Sequence, residues 1–508
     1  MGAGFPTSGA SPGFRARWER FFGCDLRSLA ALRIGLASAI LIDLALRLPE
    51  IGLFYTDRGL LPRSINPTPL GVFPLSVHGY AGGTAFEWLL FGVASVFAAM
   101  MLIGYRTRLA TAVSWWLLAS LQFRNPEIGN GGDAWLRITM FWCMFAPLGA
   151  RWSIDAGRHL QFQRRQAGAT VLSMATVALL LQPALVYFFT AIIKWQSGPD
   201  WVPDGSAITL ALRHEYWAGP LGHWLLGFPD LLSVMTWWVF GMELIGPLLL
   251  FFPVFTAPIR ALTLIAFVGL QMGLAPTLQL GFFPWVSTLA LLPFLPAAFW
   301  ERLDPRTRVA RKARGEQPTA TPVDGDRIDS RPPRSGGRRV GEGIVLTLLV
   351  YVVFNNVTTV APRFEPRGPV LWATWLGQAL GLNQEWAMFS LLQRVEWNLL
   401  LLGDLDDGST RNVLDARHDE SWEEIRRLHR KFRFKIFYLG LASDQRNPER
   451  RVYARWMCGA WNRERAGGPS LVAVELVTRE RKFAPGDGPP QPWQQRSLTR
   501  HQCADTPG

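Results

Sequence analysis

Residues that bind metals are few in this sequence, and their spacing indicates no metal site. The 508 residues include four cysteines and seven histidines, and none of them forms a CxxC, HxxxH or HExxH pattern. Zinc sites and haem attachment sites use spacings of this kind. The sequence therefore predicts a protein without a metal or haem centre.

Lysine is also scarce. Of the 52 lysine and arginine residues, five are lysine, and Lys194 is the only one in the first 311 residues. Arginine can place a charge at a membrane surface as well as lysine does, but only lysine loses its proton readily when it is desolvated. Because Lys194 ends a long apolar run, we predict that it is a general base. The alternative is an ordinary interfacial anchor.

The composition indicates a membrane protein with several spans. Hydrophobic residues make up 49% of the chain, there are 23 tryptophans, and the mean hydropathy is +0.13. The formal net charge is +13, but the basic residues of the first 300 positions lie in short loops between apolar runs. Such charges set membrane orientation, so nucleic acid is not a predicted partner.

Nine apolar windows are long enough to approach the roughly 30 Å of a hydrocarbon core. We predict an α-helical polytopic membrane protein with about eight to nine transmembrane helices and a small C-terminal α+β extracytoplasmic domain. The first window lacks a cleavage site after it, which favours a retained span over a signal peptide. The predicted spans are 28–46, 85–104, 108–123, 134–149, 170–194, 231–252, 258–275, 280–300 and 343–361.

Arginines cluster before the first predicted span and after the second, fourth and sixth, which places all of them on one side. The positive-inside rule makes that side cytoplasmic, so we expect a multi-pass membrane protein with a cytoplasmic N-terminus. The predicted regions are a cytoplasmic segment 1–26, a transmembrane domain 27–300, a basic disordered linker 301–342, a last span 343–361 and an extracytoplasmic domain 362–508.

The C-terminal region has the patterning of a soluble domain. The segment WNLLLLGDLDDGSTRNVL predicts two strands around a DDG turn, 421–438 and 447–465 have helical spacing, and SLVAVELVTRERKF predicts another strand. Cys458 and Cys503 both lie in this domain. In an oxidising compartment we expect them to form a disulfide, whereas Cys24 and Cys143 lie at or within the membrane part.

Three polar, glycine-rich loops fall on the predicted outer face, at 54–67, 124–135 and 194–207. Loops on a rigid scaffold concentrate binding residues, so these loops and Lys194 predict an outward-facing site. The alternative is that their Gly, Pro and Asn residues only form turns.

Ionisable residues inside predicted spans need partners. Asp43 and Arg47, and likewise Asp133 and Arg137, are four residues apart and can pair on one helix face. We favour helix stapling for both pairs. For Glu243, within FGMELIGPLLL, a partner and a cavity-facing position remain equal alternatives.

Aromatic residues of the spans offer a wall for a planar, lipid-like ligand, although packing and lipid contact are the commoner roles of such residues. The candidates for such a wall are Trp115, Trp116, Trp237, Trp238, Phe188 and Phe189.

Several motifs together resemble a known family. The stretches RSLAALRIGLASAILIDLALR, FYTDRGLLPRS, NGGDAWLRITMFWCMFAPLGARWSID and YFFTAIIKW with DWVPDGSAI are similar to the HTTM (horizontally transferred transmembrane) domain of bacteria, which is related to vitamin K-dependent gamma-carboxylase. The similarity covers roughly residues 20–300. NQEWAMF at 383–389 and the GDLDDGS turn resemble the extension that follows the membrane part in bacterial members.

The resemblance implies a role for Lys194. In the animal carboxylase, a lysine at the matching position deprotonates reduced vitamin K, which then reacts with oxygen. The resemblance implies reduced vitamin K or menaquinol as the cofactor, with a membrane lipid or quinone and a polypeptide substrate as partners. The candidate residues for holding the cofactor are Phe188 and Phe189 of the aromatic wall. The candidate substrate-binding residues are Asn130, Gly132, Asp133, Trp201, Gly205 and Glu243, of which Trp201 and Gly205 are similar to a Trp and a Gly that follow the lysine in the carboxylase.

The sequence also departs from the carboxylase. An asparagine–histidine pair of that enzyme falls near Gly131 and Gly132 here, and the stretch 268–283 lacks the expected histidine. Base chemistry is therefore better supported than peptide carboxylation. The alternative is a non-catalytic membrane scaffold or maturation partner that presents its C-terminal domain. A transporter is disfavoured because the sequence has no repeated halves.

The charge pattern makes a prediction about topology. Reporter proteins fused at residue 320 and after residue 365 should report opposite sides of the membrane, cytoplasmic for the first and extracytoplasmic for the second. If both fusions report the same side, the span at 343–361 does not cross the membrane.

Overall fold

A computed structural model describes most of the chain. The described residues are 12–64, 76–158, 170–214, 216–303, 336–361, 371–390, 392, 394–414, 431–443, 447–464, 468–483 and 491–503. Most of the predicted linker, the end of the predicted 54–67 loop and the start of the predicted 421–438 helix lie outside these residues.

Most of the described residues form α-helices. They are α1 Pro12–Phe22, α2 Leu26–Arg47, α3 Ile51–Phe54, α4 Thr84–Ile103, α5 Thr107–Arg124, α6 Gly131–Cys143, α7 Ile154–Gly157, α8 Met174–Gln196, α9 Ala207–Arg213, α10 Pro220–Leu225, α11 Pro229–Leu249, α12 Thr256–Thr277, α13 Phe283–Ala290, α14 Ala297–Leu303, α15 Gly336–Val360, α16 Leu371–Ala379, α17 Phe432–Gly440 and α18 Asn447–Glu464. A two-stranded ribbon joins β1 Cys24–Asp25 to β2 Thr170–Val171.

Six stretches of helix among the described residues are long and apolar enough to cross a membrane: Leu26–Phe54, Thr84–Ile103, Met174–Gln196, Pro229–Leu249, Thr256–Thr277 and Arg339–Val360. A seventh span results if Phe283–Phe294 and Ala297–Leu303, bent by 101°, count as one. The prediction of a polytopic helical protein is thus confirmed, but the count of eight to nine spans is not. One reason is length: α6 has 13 residues and reaches only about 20 Å at 1.5 Å per residue.

Local sequence explains where α8 and α6 begin. Ser173 caps α8 by accepting a hydrogen bond from the Thr176 amide, and the Thr176 hydroxyl accepts in turn from the Ser173 amide. Asn130 caps α6, because its side-chain oxygen accepts from the amides of Gly132 and Asp133. These caps fix the register of the helices that carry Lys194 and Asp133.

The C-terminal region contains a four-stranded antiparallel sheet in the order β4, β3, β5, β6. Its strands are β3 Val395–Leu405, β4 Thr410–Asn412, β5 Leu471–Lys482 and β6 Gln494–Gln502. The hairpin of β3 and β4 around the DDG turn is as predicted, with Gly408 at φ +79°. The predicted strand at β5 and the predicted helix at α18 are also present, whereas β6 was not predicted.

Cys458 on α18 and Cys503 after β6 form a disulfide, which is the predicted pairing. The other two cysteines, Cys24 and Cys143, are free thiols buried in the helical part. The disulfide ties the last strand of the sheet to the helix that packs on it.

The chain after α15 is not a separate body but is inserted among the membrane helices. Gln182 Nε2 of α8 donates to Gln384 Oε1 at 2.8 Å, and Gln384 Nε2 donates back to Gln182 Oε1 at 3.4 Å. Trp386 Nε1 also donates to Gln384 Oε1, at 2.9 Å. Trp142 Nε1 of α6 donates to the same Gln182 oxygen at 3.0 Å. All four side chains are buried, so the NQEWAMF segment is part of the helical core.

A buried ring of four charged residues makes the second connection. Arg47 Nε lies 2.8 Å from Asp43 Oδ2, and Arg47 Nη2 lies 3.0 Å from Asp133 Oδ1. Arg433 of α17 closes the ring, because it pairs with Asp43 and lies 3.2 Å from Asp133 Oδ2. Arg47 also donates to the Tyr55 hydroxyl at 2.5 Å. The predicted pairing of Asp43 with Arg47 is confirmed.

The other predicted pair is not among the ion pairs of the described residues. Asp133 uses both of its oxygens on Arg47 and Arg433, while Arg137 donates to Gln122 Oε1 at 2.5 Å and to the Gly381 carbonyl at 3.3 Å. Arginines from two other elements reach Asp133, and spacing along one helix cannot reveal them.

The ring makes a prediction about stability. Arg433→Met should lower the free energy of unfolding by about 3 to 5 kcal/mol, because it leaves two buried carboxylates facing a single arginine. Chemical unfolding of the detergent-solubilised protein, followed by tryptophan fluorescence, would measure the change.

The matched control is Arg500→Met. Arg500 also bridges two carboxylates, those of Asp404 and Glu475, but its side chain is 53% exposed. Solvent-exposed pairs contribute at most about 1 kcal/mol. Equal losses in the two variants would contradict a stabilising role for the buried ring.

Candidate functional site

A cavity of about 580 Å³ lies where the helical part meets the C-terminal segments. This volume is typical of a small-molecule site. Its walls come mainly from α8, α11 and α12, with contributions from the loop before α6, from α9 and from the C-terminal segments. The lining residues that matter below are Asn130, Gly131, Trp135, Val186, Tyr187, Thr190, Lys194, Trp201, Trp217, Trp238, Glu243, Gln271, Leu278, Leu280, Phe283, Met388, Phe389, Phe432 and Ile436.

Lys194 is the principal charged group of this wall. Its Nζ atom lies 2.6 Å from Oε2 and 2.8 Å from Oε1 of Glu243, and 4.0 Å from the centre of the Trp201 ring. Lys194 is 4% exposed and Glu243 is 7% exposed. The last turn of α8 therefore places an ammonium against a carboxylate and an aromatic face, and all three residues border the cavity.

The pairing answers the question that the sequence left open about Glu243. This carboxylate has both a partner and a cavity-facing position. Lys194 and Glu243 were separate predictions, and their contact was not predicted because 49 residues and two different helices separate them. A single sequence carries no signal for such a pair.

Two further polar atoms of the wall have no hydrogen-bond partner among the described residues. Gln271 Nε2 donates to the Tyr187 hydroxyl at 2.8 Å, but Gln271 Oε1 has no partner. Trp135 Nε1 likewise has none. Both residues are buried cavity-lining residues. Unpartnered buried polar atoms are uncommon in folded proteins, which makes these two atoms candidates for contact with a ligand.

The predicted loop residues have different positions. Asn130 lines the cavity, and its amide group is engaged by its own helix and by Asp133. Asp133 belongs to the ion-pair ring. Gly132 packs against the backbone of Phe283, since a Cβ atom there would lie 2.8 Å from Phe283 N. The loop thus shapes the wall. Of its three predicted substrate-binding residues, Asn130 is the one that lines the cavity.

Trp201 lines the cavity as predicted, and its Nε1 atom donates to the Phe389 carbonyl at 2.8 Å. Gly205 serves the backbone instead. It has φ +66°, and a Cβ atom there would lie 2.7 Å from Trp237 Nε1. Glycine is therefore needed at this position for conformation and close packing.

Phe188 and Phe189, which were predicted to hold the ligand, are not among the described lining residues of this cavity. The cavity face of α8 is formed by Tyr187, Thr190 and Lys194. These three follow a spacing of three or four residues and share one helix face. Phe188 and Phe189 point away from it and contact each other, with ring centres 5.7 Å apart.

The C-terminal contribution to the cavity was missed by sequence reasoning. Met388 and Phe389 are the last two residues of the inserted NQEWAMF segment, and Phe432 and Ile436 lie on α17. Gly281, at φ +58°, allows the Phe432 ring to pack, because a Cβ atom would lie 2.6 Å from it. Tyr438 of α17 donates to the Leu399 carbonyl of β3 at 2.9 Å. Helix α17 thus joins the sheet to the cavity.

Among the described residues, no group of three or more His, Cys, Asp or Glu side chains is arranged to hold a metal ion. Lys194 and Glu243 of the cavity wall are side chains that can transfer protons and form hydrogen bonds.

Comparisons with known proteins agree with this architecture. The family model of the HTTM domain matches residues 24–300, which is more than half of the chain. Neither a search of curated proteins nor a search of solved structures found a significant match. The matched region contains Lys194, Glu243 and Trp201 but ends before the C-terminal residues that complete the cavity. The chain belongs to the HTTM domain family.

Proposed function

We propose that this membrane protein binds a reduced quinone, or a similar redox-active lipid with a hydroxyl group, and that Lys194 takes the proton of that hydroxyl. The observation that carries the proposal is the Lys194–Glu243 pair, which borders a cavity of about 580 Å³ with mainly apolar and aromatic walls. The likeness of HTTM proteins to vitamin K-dependent gamma-carboxylase, noted from the sequence, supports the same ligand class.

The walls fit such a ligand. Trp135, Trp217 and Trp238 offer flat apolar surfaces, and the unpartnered atoms Gln271 Oε1 and Trp135 Nε1 supply one acceptor and one donor for ring hydroxyls. Reduced vitamin K or menaquinol would supply an acidic hydroxyl and reducing equivalents there. The cofactor-binding residues in this proposal are these wall residues.

The pair is suited to accepting a proton. In the ammonium–carboxylate form, Lys194 can pass a proton from Nζ to the Glu243 oxygen 2.6 Å away, which frees the amine to take the ligand proton. After the transfer, Lys194 is again an ammonium and Glu243 is a neutral acid. The site has then gained one proton without leaving a second positive charge in apolar surroundings.

Trp201 has a supporting role. Its ring lies 4.0 Å from Lys194 Nζ and its Nε1 atom is tied to the Phe389 backbone. This contact holds the amine in place and stabilises its charged form. The apolar residues around it limit the access of water, which strengthens electrostatic interactions within the site.

The proposal extends to location. We place the cavity at the extracytoplasmic side of the bacterial inner membrane, with a cytoplasmic N-terminus, on the arginine distribution of the loops. The sheet domain would then also lie outside. A disulfide between Cys458 and Cys503 suits that compartment.

The alternative is a non-catalytic scaffold, for which the Lys194–Glu243 pair would be a staple between α8 and α11. The short, doubly hydrogen-bonded contact serves a staple equally well. The cavity beside the pair favours the enzymatic proposal, since a staple needs no space next to it.

Replacement of Lys194 distinguishes the two. Lys194→Arg keeps the charge and the ion pair, but guanidinium does not release its proton. We expect turnover of vitamin K hydroquinone or menaquinol under oxygen to fall by roughly 10² to 10⁴, measured by chromatography of quinone and epoxide with the purified full-length protein.

The control is Lys482→Arg, the same change at an exposed position on β5, which should leave turnover unchanged. If Lys194→Arg turns over as fast as the control, Lys194 is a staple. Thermal unfolding of both variants should match the parent protein, which separates loss of chemistry from loss of fold.

A further inference from the structure

Of the four lysines in the described part of the chain, two are buried. Lys194 lines the cavity, and Lys435 lies on α17 between the lining residues Phe432 and Ile436. Lys194 is 4% exposed and Lys435 is 8% exposed, whereas Lys431 is partly exposed and Lys482 is exposed. The chain otherwise uses arginine for nearly all of its positive charge. Lys435 lies outside the region that matches the family model.

Lys435 sits where the cavity wall meets the protein surface. Phe432 and Ile436, its neighbours on α17, line the cavity, as does Trp217, whose ring centre is 5.5 Å from Lys435 Nζ. The Nζ atom donates to Gln279 Oε1 at 3.0 Å. Gln279 is exposed, although Leu278 and Leu280 on either side of it line the cavity.

The surroundings of Lys435 contain no balancing charge among the described residues, since no carboxylate of these residues lies within 4.0 Å of its Nζ atom. An ammonium has three donors, and the Gln279 carbonyl accepts one of them. Burial without a counter-charge lowers the pKa of Lys435 to about 8. Lys194, by contrast, has the carboxylate of Glu243.

Helix α17 also carries a second buried cation, Arg433, whose partners differ from those of Lys435. Arg433, two residues earlier, is buried against both Asp43 and Asp133. The same helix therefore carries one cation with two carboxylates and another with a neutral amide and an aromatic ring. A buried ammonium without a carboxylate partner, such as that of Lys435, would be stabilised by the negatively charged group of a bound ligand.

The geometry points to an oxyanion subsite at Lys435, which binds the carboxylate or phosphate end of an amphiphile whose apolar tail lies in the cavity. The inference rests on the proposed function only in that the cavity binds an apolar ligand. It does not require Lys194 to act as a base.

Headgroup selectivity tests the subsite. Three ligands that share the same tail but differ in headgroup are compared. They are 9,10-dibromostearate, 9,10-dibromostearyl phosphate and 9,10-dibromostearyl alcohol. Bromine quenches tryptophan fluorescence on contact, and Trp135, Trp201, Trp217 and Trp238 line the cavity. Titrations use the full-length protein in a neutral detergent, with the micelle partition of each ligand measured separately.

For the parent protein we expect at least one anionic ligand to bind about 10- to 100-fold more tightly than the alcohol, which is the range of a hydrogen bond to a charged group. A preference for stearate alone indicates a carboxylate ligand, and a preference for the phosphate alone indicates a lipid headgroup. Lys435→Met should reduce the preference to about one, with the affinity for the alcohol unchanged.

Lys435→Arg should keep the headgroup preference, because it keeps the charge. Lys431→Met is the control: Lys431 is the partly exposed lysine just before α17, and its replacement should not alter the preference. If Lys435→Met does not fold, Lys435→Gln serves in its place, since it also removes the charge. No headgroup preference in the parent protein, or an equal preference in the neutral variant, would overturn the subsite.

The proposal that Lys194 is a base and the proposal of a subsite at Lys435 can be disproved independently. Lys194→Arg should abolish quinol turnover but keep the headgroup preference. If Lys194→Arg retains turnover while Lys435→Met loses the preference, the base proposal is wrong and the subsite stands. If Lys435→Met keeps the preference while Lys194→Arg loses turnover, the reverse holds.

Discussion

Charge buried in an apolar bundle needs a partner, and this constraint organises the protein. A charged side chain taken out of water is costly unless another charge or a set of hydrogen bonds compensates for it. Asp43, Arg47, Asp133 and Arg433 meet the requirement as a closed ring. One member comes from the C-terminal region, so the ring fixes α17 against the membrane helices.

The position of α17 then determines the cavity. Phe432 and Ile436 form part of its wall, and Met388 and Phe389 add another part from the inserted segment. The HTTM match ends at residue 300, yet the cavity is completed by residues beyond it. A scaffold that merely presents its C-terminal domain would not need this interlocking, whereas a site with a wall from each region does.

Sequence reasoning succeeded where the relevant contacts are local. The four-residue spacing of Asp43 and Arg47 predicted their pair, and the DDG turn predicted the hairpin of β3 and β4. Lys194 was singled out by its rarity and Glu243 by its burial in an apolar run, but their contact was not predicted. Long-range contacts depend on how helices pack, and one sequence does not encode them in a readable pattern.

The points at which the described structure differs from the sequence-based expectations also have physical causes. Phe188 and Phe189 were assigned to the ligand because they are aromatic and near Lys194, although the helical period turns them away from the face that carries Tyr187, Thr190 and Lys194. The short helix α6 was counted as a span because its apolar composition continues past the residue where the helix ends. Arg433 and Lys435 gave no signal, since a basic residue in a C-terminal helix is usually solvated.

The central claim is that the Lys194–Glu243 pair takes a proton from a bound ligand and that the proton ends on Glu243. Infrared difference spectroscopy of the full-length protein, recorded as vitamin K hydroquinone or menaquinol is added, measures this directly. The account predicts a new carbonyl stretch of a protonated carboxylic acid that is absent in Glu243→Gln and in Lys194→Arg. Ligand binding with no such band, or a band that persists in Glu243→Gln, would contradict it.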